Sequence, residues 1–226
     1  MQDLESKTEK EVLSWAYSNF GDSISIAFSG QMEDVVVLDL ASKIRKNPRL
    51  FTLDTGRLPK ETYELMDAVR DRYNVSIDVY FPDKQKLENM VKEHGFNLFY
   101  NSKDLRKMCC GVRKVEPLQR ALSGLSGWIT GLRRDQWDSR AQIKKVEIDE
   151  SHGNITKVNP IADWSYENIL EYTKSNNLPY NKLYEKGYKS IGCEPCTRPV
   201  LEGMHPRSGR WWWEEGDKEC GLHVKE

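Results

Sequence analysis

The residues best suited to chemistry in this chain are its five cysteines. Cys109 and Cys110 are adjacent, Cys193 and Cys196 bracket a Cys-Glu-Pro-Cys motif, and Cys220 stands alone near the last residue. An odd, clustered set does not read as the disulfide framework of a small secreted domain. The first four supply the thiolate count of a 4Fe-4S cluster. Zinc competes for the same ligands, although its structural sites favour two spaced pairs and adjacent cysteines suit that spacing poorly. Two buried, unliganded pairs are the third reading, because free cysteine packs as a small hydrophobe. Spacing alone leaves all three open.

Cys220 sits in Lys218-Glu219-Cys220-Gly221-Leu222-His223. Lys218 and His223 would raise its thiolate fraction, and Glu219 would oppose them. An inert cysteine on a loose terminus is the competing reading. Cations gather beside the cysteine motifs: Arg113 and Lys114 after the pair, Arg198 after Cys196, then His205, Arg207 and Arg210. Each alone reads as a solvated surface charge, but guanidinium forks match phosphate and sulfate oxygens, so their repeated placement predicts a shared anion site. Trp211-Trp212-Trp213 is a large apolar surface in a polar stretch. It is expected to pack down and anchor that stretch rather than stack on a base.

Such groups need a scaffold, and strand and helix periods alternate along the chain. A helix is expected at 4–20, a strand at 23–28, a helix at 33–45, a strand at 50–53, a helix at 59–73 and a strand at 75–81. Residues 128–132 read as a further strand and 164–175 as a helix that Asp163 would cap. Alternation of this kind predicts an α/β fold with a mostly parallel sheet flanked by helices. Ligands in such sheets bind beyond the carboxyl ends of the strands, where Ser29, Asp54 and Arg133 would lie. The Ser29-Gly30 turn is a weak phosphate-binding signal. No lysine follows it, and Glu33 and Asp34 would repel added phosphate charge, or else simply complement the dipole of their helix.

Bulk composition narrows the function classes. Lys and Arg number 34 against 35 Asp and Glu, a net charge of -1, so no global basic field recruits nucleic acid or an anionic membrane. The 226 residues, 38% of them hydrophobic, suit one medium domain. Apolar runs are strand-sized and the first ten residues are polar rather than signal-like, which predicts a cytoplasmic protein. The expected organisation is a body at 1–202 and a C-terminal tail at 203–226 that orders over a bound ligand.

Longer motifs carry a resemblance. Phe51 to Thr62 (FTLDTGRLPKET), Met108 to Leu122 (MCCGVRKVEPLQRAL), Trp128 to Gln136 (WITGLRRDQ), Gly192 to Val200 (GCEPCTRPV), Gly209 to Trp213 (GRWWW) and Lys218 to His223 (KECGLH) resemble the reductive sulfonucleotide lyases, specifically the cluster-bearing adenylyl-sulfate reductases. The resemblance spans about residues 20 to 223. It implies an adenine nucleotide alpha hydrolase-like fold and a 4Fe-4S cluster on Cys109, Cys110, Cys193 and Cys196. It also implies that Cys220 is the nucleophile and that thioredoxin, or a similar dithiol donor, is the reductant. By the same resemblance Lys114, Arg207, Arg210 and His223 hold the phosphosulfate. Adenosine would lie against the Ser29 loop and the segment containing Leu53, Thr55, Gly56 and Arg57.

The chain departs from the family pattern in two places. Gln31-Met32 stands where one small residue is usual, and the stretch from Trp213 to Cys220 is about one residue short. The activity implied is reduction of adenylyl sulfate to sulfite and AMP. The rivals are the same reaction on 3'-phosphoadenylyl sulfate, a PP-loop ATP pyrophosphatase, disfavoured by the missing Ser-Gly-Gly-x-Asp-Ser loop, and a noncatalytic metal-binding module. Self-association is left open.

Overall fold

The computed structural model describes residues 3–215 and Leu222. Among the described residues six short strands make one sheet: β1 (Ile24–Ala27), β2 (Leu50–Leu53), β3 (Ile77–Tyr80), β4 (Gly127–Ile129), β5 (Val146–Asp149) and β6 (Ile155–Val158). Their order is β3-β2-β1-β4-β6-β5, and only the β5–β6 pair is antiparallel. The helices are α1 (Glu9–Phe20), α2 (Met32–Ser42), α3 (Lys60–Tyr73), α4 (Lys84–His94), α5 (Lys103–Cys110), α6 (Glu116–Leu122) and α7 (Tyr166–Ser175). From β1 the chain winds outward through β2 to β3, then returns to place β4 on the other side of β1. The resulting switch point lies between β1 and β4, the position at which doubly wound sheets open a crevice.

Alternation along the strands sends neighbours to opposite faces. Leu50 joins a large core with α1, α2, α3 and α7, while the next residue, Phe51, packs with Leu118 and Leu122 of α6 and with Trp128 of β4. Every residue of α2 from Met32 to Ala41 is buried. Its sequence accordingly shows an apolar run rather than a stripe, as expected of a helix covered all round.

The strand at 50–53 stands as expected, the first helix starts at Glu9 rather than at residue 4, and the other forecast elements lie within three residues of their observed bounds. The capping expectation at Asp163 is not met. Ser165 accepts from the Asn168 amide and starts α7, while Asp163 pairs with the buried Lys145 at 2.7 Å. The antiparallel pair β5–β6 is an addition to the expected set. Its turn uses left-handed backbone at Gly153 and Asn154. Among the described residues no helix is long and apolar enough to cross a membrane.

Asp39 ties α2 to its neighbours. It accepts from the Tyr73 hydroxyl of α3 at 3.0 Å and the Tyr172 hydroxyl of α7 at 2.8 Å, and it pairs with Lys43 at 2.7 Å. Burial alone would raise its pKa, but these bonds outweigh burial and hold the carboxyl below its usual range. A depressed carboxylate contributes stability above its unfolded pKa and loses it as pH falls through the folded value. Asp39→Ala is therefore expected to cost about 2–4 kcal/mol, with two hydroxyls left in want of an acceptor. In urea titrations the deficit should shrink as pH is lowered below about 4.

Candidate active site

The crevice at the switch point has a cavity of about 150 Å³. Ser29 follows β1, Leu53 and Thr55 follow β2, and Thr130 and Gly131 follow β4; all of them except Leu53 lie beyond a strand end, and Leu53 is the last residue of its strand. The Ser29 turn is held by Asp34, whose Oδ2 accepts from the Ser29 amide at 2.7 Å, the Ser29 hydroxyl at 2.6 Å and the Gln31 amide at 3.4 Å. Burial pushes the Asp34 carboxyl up to about 6 against the pull of the Ser29 bonds. A Cβ on Gly131 would stand 2.8 Å from Asp34 Oδ1 and from Glu33 Cβ, so only glycine allows this close approach of the two loops.

Glu33 is not a bare charge in the crevice. Its Oε1 accepts from Arg133 Nη2 at 2.9 Å and Gln136 Nε2 at 3.0 Å. The expected repulsion of added phosphate by Glu33 is therefore corrected: Arg133 neutralises it. Arg133 itself also pairs with Asp135 and is absent from the crevice wall. The two residues that occupy one family position divide their work. Met32 is buried in the core, and Gln31 Oε1 accepts from the Ile191 amide at 3.3 Å, joining the Ser29 loop to the segment before Cys193.

A second cavity adjoins the first and gathers Cys109, Cys110, Cys193 and Cys196, all buried and none in a disulfide. Its walls are apolar, with Leu98, Phe99 and Trp211 packed around the sulfurs. Arg57, Arg106, Arg113, Lys114 and Arg210 bring positive charge to the same place. α5 ends at Cys110 and widens into a π-helical turn, Gly111–Val115, that carries Arg113 and Lys114. Such widenings recur at functional sites because they redirect side chains. Burial raises the Cys109 and Cys196 thiols, Cys196 to about 12. Both are poor nucleophiles as thiols and would ionise on binding a metal. Among the described residues no three His, Cys, Asp or Glu side chains converge closely enough to hold one ion.

Two residues line both cavities and a third connects them. Lys114 and Arg210 line each; Thr55 lines the crevice while its hydroxyl lies 3.2 Å from Cys193 Sγ. Arg210 stacks on Trp211 at 4.7 Å and lies so close over Gly192 that any Cβ there would collide with it. Its Nε is buried with no hydrogen-bond partner among the described residues. Arg207 also lines the crevice. Arg57 turns away toward Phe96 and Asn97, stacking on Phe99, and Gly56 makes the turn between them with φ 67°. Residues 205–215 fold back on the body: Thr197 bridges Arg210 in antiparallel register and Trp211 is 1% exposed. The expected packing of the tryptophan run is observed there. Leu222 also lines the crevice and touches the Phe51–Trp128 cluster. Cys220 and His223 lie outside the described residues.

Trp128, Thr130, Gln136 and Arg140 also wall the crevice. The first three lie in the 128–136 motif, which marks them without assigning a role, and Arg140 lies beyond any motif.

Fold and crevice together define a doubly wound α/β protein with a ligand crevice at its switch point. Residues 23–199 match the phosphoadenosine phosphosulfate reductase domain family, and the chain belongs to it. It is 49% identical to an adenosine 5'-phosphosulfate reductase of Pseudomonas aeruginosa (strain LESB58), across 98% of this chain and 84% of that protein. It is 46% identical to the protein of that name from Allochromatium vinosum, across 91% of this chain and 80% of that one. Among solved structures, phosphoadenylyl-sulfate (PAPS) reductase from Candida auris, in a phosphate complex, superimposes with a TM-score of 0.73 at 31% identity, covering 86% of this chain and 92% of that one. Candida glabrata FMN adenylyltransferase, at 17% identity and a TM-score of 0.62 over 85% of this chain and 62% of that one, shares the fold.

The Asp34 geometry yields a pH-dependent expectation. Its folded pKa is raised from 3.8 to about 6, so the wild-type protein should gain stability relative to Asp34→Asn as pH falls from about 6 to about 4. Asparagine keeps one acceptor oxygen and should preserve nucleotide binding, whereas Asp34→Ala should weaken it about tenfold by freeing the loop. Thermal unfolding across pH and calorimetric titration with AMP check both.

Proposed function

We propose that the protein reduces adenylyl sulfate to sulfite and AMP through an S-sulfonated Cys220. The observation that carries this reading is the shared wall between the two cavities. Lys114 and Arg210 line the switch-point crevice on one side and the four-cysteine cavity on the other. The names of the bacterial relatives support the unphosphorylated substrate over its 3'-phosphorylated form.

Adenosine would enter beside Ser29, Leu53 and Trp128, and the phosphosulfate would meet Lys114, Arg207 and Arg210. These cations would take up charge as it gathers on the phosphate and sulfonyl oxygens, which is preorganised stabilisation of the transition state. The Cys220 thiolate attacks the sulfonyl sulfur, a new S–S bond forms, and the bond from sulfur to the AMP phosphate oxygen breaks with its electron pair leaving on AMP. One thiolate of a dithiol reductant, thioredoxin by resemblance, then attacks Cys220 Sγ. Sulfite departs with the electron pair, and the second thiol resolves the mixed disulfide. Two electrons pass from the dithiol to sulfur. Leu222, which lines the crevice and stands two positions after Cys220 in the sequence, supports this assignment. The raised Cys109 and Cys196 thiols support a separate nucleophile. The division into a body and a tail from residue 203 fits the same scheme, with His223 as a further anion contact.

The four-cysteine cavity fits a 4Fe-4S cluster: it offers the full thiolate count, apolar walls and enough cationic charge to balance the thiolates. Adjacent side chains on a helix diverge by about 100°, which suits a broad group better than one zinc ion. Once bound, the group would supply a rigid, negatively charged link between α5 and the 193–196 turn. Thr55 and Arg106 would hydrogen-bond its ligand sulfurs.

Given substrate without reductant, the protein should accumulate one sulfonate on the Cys220 peptide by mass spectrometry. Cys220→Ser should bind nucleotide normally and form none; sulfite release by that variant at the normal rate would end the proposal. Removing Arg207 or Arg210 should lower kcat/KM about 10- to 150-fold while iron content survives. Replacing any one of Cys109, Cys110, Cys193 or Cys196 by serine should strip the iron measured by Mössbauer spectroscopy and metal analysis. Cys220→Ser should keep it, and one equivalent of zinc in the anaerobically purified protein would refute the cluster.

A further inference from the structure

His205 stands two residues before Arg207 and five before Arg210 in sequence, yet it lines neither cavity. Its ring works on the backbone instead. Nδ1 accepts from the Arg207 amide at 3.2 Å and so caps the 3₁₀ turn Pro206–Gly209. Pro206 has no amide to offer at the first position of that turn, which leaves the Arg207 amide as the first donor in need of an acceptor. The same ring packs against Trp137, with centroids 4.4 Å apart and planes at 80°. Trp137 stands between Gln136 and Arg140, two residues of the crevice wall, and its carbonyl accepts from the Arg140 amide at 2.8 Å.

The other end of the turn is held by backbone pairing. The Gly209 carbonyl accepts from the Arg198 amide at 3.1 Å, Arg210 bridges to Thr197, and a Cβ on Gly209 would collide with the Arg198 carbonyl oxygen. Gly209 and Arg210 are therefore fixed without the cap, whereas Arg207 at the start of the turn depends on it. Arg207 is buried and lines the crevice, so a ring outside the crevice sets the origin of a cation inside it.

This cap has a chemical condition. An imidazole nitrogen accepts only while it is unprotonated, so Nδ1 is bare and Nε2 carries the hydrogen. A proton on Nδ1 would set donor against donor at the Arg207 amide and place a second cation beside the Arg207 charge. Partial burial of the ring lowers the His205 pKa; Asp138 opposes this, the Arg207 charge adds to it, and the net direction is down. The neutral, accepting ring is thus present near neutral pH and is lost as pH falls through the folded value.

We propose that His205 is a positioning residue whose neutral ring, by capping the Pro206–Gly209 turn, holds Arg207 at the phosphosulfate, so that acid releases this contact. The proposal rests on the reading of Arg207 as a phosphosulfate ligand.

The test measures binding of adenylyl sulfate by calorimetry to the full chain carrying its metal, with Cys220→Ser in every protein to prevent turnover. His205→Asn puts Oδ1 where Nδ1 stands and keeps the cap without the titration; His205→Phe keeps a ring against Trp137 and loses the acceptor. At about pH 7.5 the Asn variant should bind within about twofold of the His205 protein and the Phe variant about fivefold more weakly, the usual effect of a lost cap. Between about pH 7.5 and about pH 5 the ratio of the Asn variant's affinity to that of the His205 protein should rise to about threefold or more. Other titrating groups, His223 among them, are common to both proteins and cancel in that ratio. In an Arg207→Ala background the Phe substitution should change affinity by less than about twofold, because its effect passes through Arg207. A Phe variant that binds like the Asn variant, a ratio that stays flat with pH, or an undiminished loss on top of Arg207→Ala would overturn the proposal. Failure of the reading beneath it shows separately, as an Arg207→Ala protein that binds adenylyl sulfate as tightly as its parent.

Discussion

Taking a guanidinium out of water is costly unless something meets its charge, and six arginines are buried here: Arg106, Arg113, Arg133, Arg140, Arg207 and Arg210. The structure is arranged around meeting that demand. Arg133 is answered by Glu33, Arg106 by Glu214, Arg113 by the Thr55 carbonyl at 2.5 Å and Arg140 by Gln136 at 2.7 Å. Arg210 reaches the Ser190 hydroxyl and the Ile191 carbonyl only at 3.4 Å and stacks on Trp211. Uncharged partners at such lengths leave much of its charge unmet, and Arg210 is one of the residues that line both cavities.

The same accounting separates two kinds of acidic residue in the crevice. Glu33 and Asp34 are adjacent, but the charge of Glu33 is met by a salt bridge to Arg133 and Asp34 Oδ2 holds the Ser29 turn. In sequence they look like one negative patch. In space one carboxylate is paired with a cation and the other shapes a loop, so neither serves as an electrostatic gate against extra phosphate. Discrimination between sulfonucleotides must come from the shape of the crevice and the placement of its donors, with Gln31 and Gly131 at its edge.

The fold was legible in the sequence because β1, β2 and α2 are short apolar runs punctuated by turn residues, and burial on both faces leaves exactly that trace. β5 and β6 were missed for the opposite reason. They form the polar margin of the sheet, where Glu147, Ile148 and Asp149 meet Lys157, Thr156 and Ile155, and their alternation is too weak to rise above the surrounding loop. The cysteine cavity and the cations beside it were legible from residue type. The fate of each cation was not: Arg133 and Arg210 look alike in a list of basic residues, and only the position of Glu33, one hundred residues away along the chain, tells them apart. Arg57 was placed with the nucleotide from its neighbours in a motif, whereas the left-handed turn at Gly56 sends it to Phe99.

The cysteine cavity is assembled from three parts of the chain that are remote in sequence: the end of α5, the 193–196 turn and Trp211 laid across them. During synthesis on a ribosome the first two sulfurs emerge and α5 can form long before the second pair exists. Trp211, which closes the wall, arrives last of all. Loading of any group into this cavity therefore belongs to the final stage of maturation, and the nascent chain exposes Cys109 and Cys110 to oxidation throughout the interval. Cells that make this protein under oxygen face a race between completing the chain and losing its first two thiols.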